Sequence, residues 1–89
     1  MILTAELSLY PLKTDYEASI INFIKKLKSH TKIEVHTHAM STFVKGPSQF
    51  VFEAINEAMS STLNDNITAS LVMKLINRDL PIEKGFLDF

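Results

Sequence analysis

The fold is decided by Ala5-Glu-Leu-Ser-Leu-Tyr-Pro-Leu12, read together with Glu34-Val-His-Thr-His-Ala-Met-Ser-Thr-Phe-Val-Lys-Gly46. Apolar and polar residues alternate in both, the period of a strand that buries one face and displays the other. Around the first stretch Leu3, Ala5, Leu7 and Leu9 share one face, and Thr4, Glu6, Ser8 and Tyr10 share the other. Pro11 ends this strand, having no amide hydrogen for a ladder. In the second stretch Ile33 and Val35 point inward, while Glu34, His36 and His38 point outward. A tight connection at Ala39-Met40 leads into a short strand over 41–45, so the two segments form an antiparallel hairpin. Phe43 and Val44 cannot both face the core, and Val44 is assigned inward.

Helical spacing fills the gaps. Tyr16, Ile20, Phe23, Ile24 and Leu27 predict a helix over 15–29, with Thr14 and Glu17 in capping-box positions and Lys25, Lys26 and Lys28 suiting its C-terminal end. Gly46-Pro47-Ser48 opens a second helix whose stripe is Val51, Ala54, Ile55, Ala58 and Met59. Asn64-Asp-Asn66 reads as a turn. A last strand over 67–76 has Ile67, Ala69, Leu71, Met73 and Leu75 on one face, and Thr68, Ser70, Val72, Lys74 and Ile76 on the other. The tail over 78–89, which carries Phe86, Leu87 and Phe89, is less regular. The order βαββαβ predicts a single ferredoxin-like α+β domain over 1–89: a four-stranded antiparallel sheet with two helices on one face.

Composition narrows the function. The 89 residues carry a net charge of −1 with no basic cluster, which argues against nucleic acid. No apolar run reaches the ~20 residues of a membrane span. The N-terminus enters a strand directly with no signal-peptide pattern, so a cytoplasmic protein is expected. Cysteine is absent, which excludes disulfides, thiol catalysis and thiolate metal sites. The face opposite the helices has no third helix to cover it and shows Tyr10, Phe43, Val72 and Ile76 among polar residues. A mixed patch of this kind suits an interface, so a homo-oligomer through the open sheet face is expected.

The runs Ala5-Glu-Leu-Ser-Leu-Tyr-Pro-Leu12, Glu34, Ala39-Met-Ser-Thr42, Val44, Gly46 and Val51-Phe52 resemble the YkoF-like thiamine-binding domain family. The resemblance extends from Ala5 to about Arg78. It implies the ferredoxin-like fold, pairing of domains through their sheets, and non-catalytic binding of thiamine or its hydroxymethylpyrimidine precursor in uptake or salvage. Some members carry two tandem copies or a longer C-terminal helix, whereas this chain has one copy and ends at Phe89. Thiamine is a cation with an aminopyrimidine ring. Its recognition calls for a carboxylate (Glu6 or Glu34), hydroxyls (Ser8, Ser41, Thr42) and surfaces that hold a ring (Tyr10, Met40, Phe43). Each has a plainer role available. Glu6 can pair with Lys45 or Lys74, the hydroxyls can satisfy turns, Tyr10 can serve an interface, and Met40 can fill a gap. A structural or regulatory interaction module with no small ligand of its own is therefore the alternative.

His36 and His38 share a strand face and, with Glu34, offer a secondary metal-binding reading; surface or interface roles are the alternative. No nucleophile motif, phosphate loop or acid–base pair is recognisable, so no enzymatic activity and no cofactor are expected. His30, near the end of the first helix, suits a dipole partner.

Overall fold

Alternation along the strands and 3.6-residue stripes along the helices produce the architecture directly. The computed structural model describes residues 1–63 and 67–83. Its elements are β1 (Ile2–Pro11), α1 (Glu17–Lys28), β2 (Glu34–Thr37), β3 (Thr42–Pro47), α2 (Ser48–Thr62) and β4 (Ala69–Ile76). They form an antiparallel sheet in the order β2-β3-β1-β4, the ferredoxin-like arrangement.

Strand β1 is central, and its two partners cover it unequally. On one side β3 runs from Ile2↔Pro47 to Leu7↔Thr42. On the other β4 runs from Thr4↔Ile76 to Pro11↔Ala69, and Leu12 adds one more bond to Thr68. Among the described residues, therefore, β1 has a strand neighbour on the β4 side alone from Ser8 to Pro11. Strand β2 completes the hairpin with β3 from Glu34↔Lys45 to Thr37↔Thr42.

The core lies between the sheet and the helices. Leu3, Ala5, Leu7 and Val44 meet Phe23 and Leu27 of α1 and Val51, Ala54, Ile55 and Ala58 of α2, all buried. Ile33, Val35, Leu9, Leu71 and Met59 pack at its margin. Full burial of a side chain such as Leu27 or Val51 contributes about 1.5–3 kcal/mol. Gly46 lies in close packing. A β-carbon there would stand 3.0 Å from Ile33 Cγ2 and 3.1 Å from the Lys32 carbonyl oxygen.

Three features depart from the sequence reading. Helix α1 begins at Glu17 with Tyr16 at its N-cap and no side-chain capping bond, so the Thr14–Glu17 box does not form. Leu12 is still bonded to Thr68, and the chain uses residues 13–16 to turn from strand to helix. Tyr16 consequently lies outside the core. Met73 and Leu75 sit on the helix side of β4, opposite Leu7 and Ala5, yet are 43% and 40% exposed. Among the described residues the helices pack chiefly over β1, β2 and β3, which leaves β4 at the edge of the sheet.

The third departure concerns the open face. Residues 78–83 cross it as a strap. Thr4 Oγ1 donates to the Arg78 carbonyl (2.7 Å) and accepts from the Leu80 amide (3.2 Å). Lys45 Nζ donates to the Leu80 carbonyl (2.8 Å) and pairs with Asp79 (2.9 Å). Ile82 is buried. The sheet thus finds part of its missing cover in its own tail, because Thr4 and Lys45 offer bonds that a regular helix, with its backbone groups already paired, could not take up. The expected turn at 64–66 and the apolar residues Phe86, Leu87 and Phe89 lie outside the described residues.

Candidate functional site

The early end of β3 creates a notch. Beyond Leu7 the hairpin connection swings away from β1, leaving a cavity of about 300 Å³ between Ser8-Leu9-Tyr10 on one wall and 37–42 on the other. Its floor is apolar, built from Ile20, Phe23 and Ile24 of α1. Five of the eight residues singled out for ligand binding line it: Ser8, Tyr10, Met40, Ser41 and Thr42. Alternation explains their placement. Thr42 shares a face with Val44 and is buried toward the helices, whereas Ser8 and Tyr10 lie on the opposite face of β1. Met40, at the hairpin tip, is 90% exposed and forms a rim.

Two further candidates lie beside the notch on the open face. Glu6 is flanked in register by Phe43 and Lys74. One carboxylate oxygen accepts from Ser41 Oγ at 3.0 Å, and the other lies 3.8 Å from Lys74 Nζ. Lys74 is thus the partner of Glu6, while Lys45 is engaged by Asp79 and Leu80. Glu6, Phe43, Lys74, Ile76 and Thr4 form a second, shallower cleft of about 230 Å³ that the strap closes with Leu80. Ser41 belongs to the notch and bonds to Glu6, so it links the two cavities.

Glu34 stands apart. It faces Lys45 at the other end of the hairpin, beside Asp79 and Gly46, and is not brought together with Glu6. The histidines do not converge as a chelate either. His36 Nε2 is 3.3 Å from Glu34, whereas His38 Nε2–H donates to the Ile82 carbonyl at 3.0 Å with its ring edge-on to Phe43 at 4.7 Å. Among the described residues no group of three or more His, Asp or Glu side chains could hold a metal ion. His30 lies beyond the end of α1 and 3.5 Å from Glu57 of α2, without hydrogen-bond alignment, so it serves the helix–helix contact.

Electrostatics reinforce the strap and the helix pair. The hydrogen bond to Asp79 is the main cause holding the Lys45 ammonium above its usual pKa. The Lys26 ammonium, 2.9 Å away, holds Glu57 below the usual carboxylate range. Glu83, at the end of the strap, is also lowered, first by backbone hydrogen bonding and then by Lys45.

Sequence reasoning missed the floor of the notch and the strap. Ile20 and Ile24 were legible as core, and what turns them into a cavity floor is the absence of a strand above them. Arg78, Leu80 and Ile82 carried no periodic signal.

The profile of the YKOF-related family matches residues 2–74 of the chain. Among solved structures, a hypothetical protein of Methanocaldococcus jannascii is 28% identical with a TM-score of 0.68, the match covering 92% of this chain and 89% of that one. A candidate thiamine biosynthesis/salvage protein of Thermotoga maritima is 16% identical, with a TM-score of 0.70 over 93% of this chain and 92% of the other. A domain of unknown function from Bacillus cereus is 15% identical, with a TM-score of 0.74 over 93% and 85%. At such low identity the last two show a shared fold. No curated protein gives a significant match.

Proposed function

The chain belongs to the YKOF-related family, and from that premise we propose that it binds thiamine or its hydroxymethylpyrimidine precursor in the notch, as a non-catalytic carrier in thiamine uptake or salvage. The observation that carries this reading is the notch itself, which gathers Ser8, Tyr10, Met40, Ser41 and Thr42 over an apolar floor with Glu6 one hydrogen bond away. The name of the Thermotoga maritima structure points the same way. A cavity of about 300 Å³ is at the small end of ligand sites, as a pyrimidine-sized molecule requires. Ile20 and Ile24 suit a ring face, Tyr10 offers a cation an aromatic partner, and Glu6 supplies the countercharge. Isothermal calorimetry with thiamine and with hydroxymethylpyrimidine tests the proposal. Saturable binding at a fixed ratio per chain, lost in Thr42→Val and in Glu6→Ala, supports it; no heat at millimolar ligand overturns it.

The same reading makes the protein a cytoplasmic homo-oligomer. The strap occupies the open face over Thr4 and Lys45, so a partner would meet the end bearing Tyr10 and Val72 and the exposed strand β4. Val72, Met73, Leu75 and Ile76 are 40–55% exposed on the two faces of that edge strand, and this observation favours the second reading, an interaction module without a small ligand. A monomeric mass in solution would count against both the oligomer and the module.

A further inference from the structure

Backbone parity leaves the N–H and C=O of one β1 residue facing the notch. Leu12 N–H donates to the Thr68 carbonyl at 2.7 Å, and the Met1 carbonyl accepts from Ser48 N–H at 2.8 Å. These bonds continue the β1–β4 and β1–β3 registers by one residue each. In an antiparallel strand the N–H and C=O of one residue point to the same side, and successive residues alternate. Even-numbered residues of β1 therefore bond to β4 and odd-numbered ones to β3. Leu3, Ala5 and Leu7 find Gly46, Val44 and Thr42. Leu9 is next in the series, and its would-be partner Met40 has left the sheet. Among the described residues the Leu9 N–H and C=O have no hydrogen-bond partner, and Leu9 lines the notch.

We propose that the backbone N–H and C=O of Leu9 are the specificity element of the notch. The N–H donates to a ring nitrogen, and the C=O accepts from an amino group on the adjacent ring carbon. The ligand class is a planar heterocycle with amine and ring nitrogen side by side, as on the edge of a 4-aminopyrimidine. The proposal rests on the ligand reading above and deepens it.

Several features favour a small ring over an added strand. One residue of edge is free. The hairpin at 38–41 closes one end, and Pro11, the next odd residue, has no N–H to continue a ladder. A ring lying against Leu9 rests on Ile20 and Ile24, and a peptide edge cannot rotate away as a side chain can. Replacing the amine by a carbonyl converts the acceptor–donor edge to donor–acceptor, which opposes like groups on Leu9 and is rejected.

Amide hydrogen exchange followed by NMR on the full chain tests this, with 4-amino-5-hydroxymethyl-2-methylpyrimidine as probe and its 4-oxo analogue as control. Without probe, the Leu9 amide exchanges much faster than those of Ala5 and Leu7, which the ladder protects. The probe slows Leu9 exchange about tenfold or more, and the 4-oxo analogue does not. Leu9→Pro deletes the N–H without removing a bond to β4 and weakens probe binding about tenfold or more, whereas Leu9→Ala, which keeps the N–H, does so less. If Leu9→Pro fails to fold, the exchange measurement on the unmodified chain decides alone. Probe binding with unchanged Leu9 exchange overturns this inference and leaves the binding reading standing. Absence of probe binding overturns both.

Discussion

The Ser41 hydroxyl donates a 3.0 Å hydrogen bond to Glu6 Oε2, tying the hairpin connection to the carboxylate at the centre of the open face. The bond orients the Glu6 carboxylate beside the notch and uses one of its oxygens. Ser41→Ala frees Glu6 to turn toward Lys74. The expected result is a fall of about three- to tenfold in thiamine affinity, the scale of one hydrogen bond of about 0.5–1.5 kcal/mol. Calorimetry on the variant checks it, with thermal unfolding as the control for an intact fold.

Thr4 both donates to and accepts from the strap, and it is buried beneath it. Thr4→Val keeps the shape, removes both bonds and leaves the Arg78 carbonyl and Leu80 amide without their partner. The expected cost is about 1–3 kcal/mol, with the Leu80 amide losing protection in hydrogen exchange while the core amides of β1 and β3 keep theirs. Equal loss everywhere would show that the strap is not a separable unit.

The Lys45–Asp79 contact makes stability depend on alkaline pH. The folded-state pKa of Lys45 is raised, chiefly by its hydrogen bond to Asp79. Its contribution is therefore complete below the unfolded value of about 10.4 and is lost as pH rises through the higher folded value. Urea unfolding from pH 9 to 11.5 should show a decline that Lys45→Met, already lacking the contact, shows less.

The acid limb belongs in part to the helix pair. Glu57 is lowered first by its hydrogen bond with Lys26, so its contribution is present above the unfolded value of about 4.3 and lost as pH falls through the folded one. Glu57→Gln should flatten the stability profile between pH 5 and 3. Both side chains are substantially solvated, so raising salt should blunt the same feature.

Gly46 lies where β3 passes the chain leading into β2, and a β-carbon there meets the Lys32 backbone. Gly46→Ala should destabilise by about 1–3 kcal/mol through crowding, although no unusual backbone angle is involved. An increase in thermal stability would show that residues 32 and 33 yield freely.

Element order and strand faces were legible because they depend on local period. Leu3, Ala5, Leu7 and Val44 turned inward as the alternation required, and the α2 stripe is the buried stripe. The eight candidate site residues were only partly legible as a group. Five converge, Glu6 and Phe43 adjoin them, and Glu34 does not, because a shared strand face says nothing about which row of the sheet a residue occupies.

The sequence by itself determined which face of β1 and which stripe of α2 turn to the core, and that two βαβ halves build one four-stranded sheet. The tertiary structure alone decided that β3 stops at Leu7 while β4 runs on to Pro11, and it is this offset that opens the notch and turns Leu9 toward it. It also decided that 78–83 fold back over Thr4 and Lys45. The physical reason is the same for both. Register and tail docking rest on contacts between residues dozens of positions apart, and a two- or four-residue period carries no record of them.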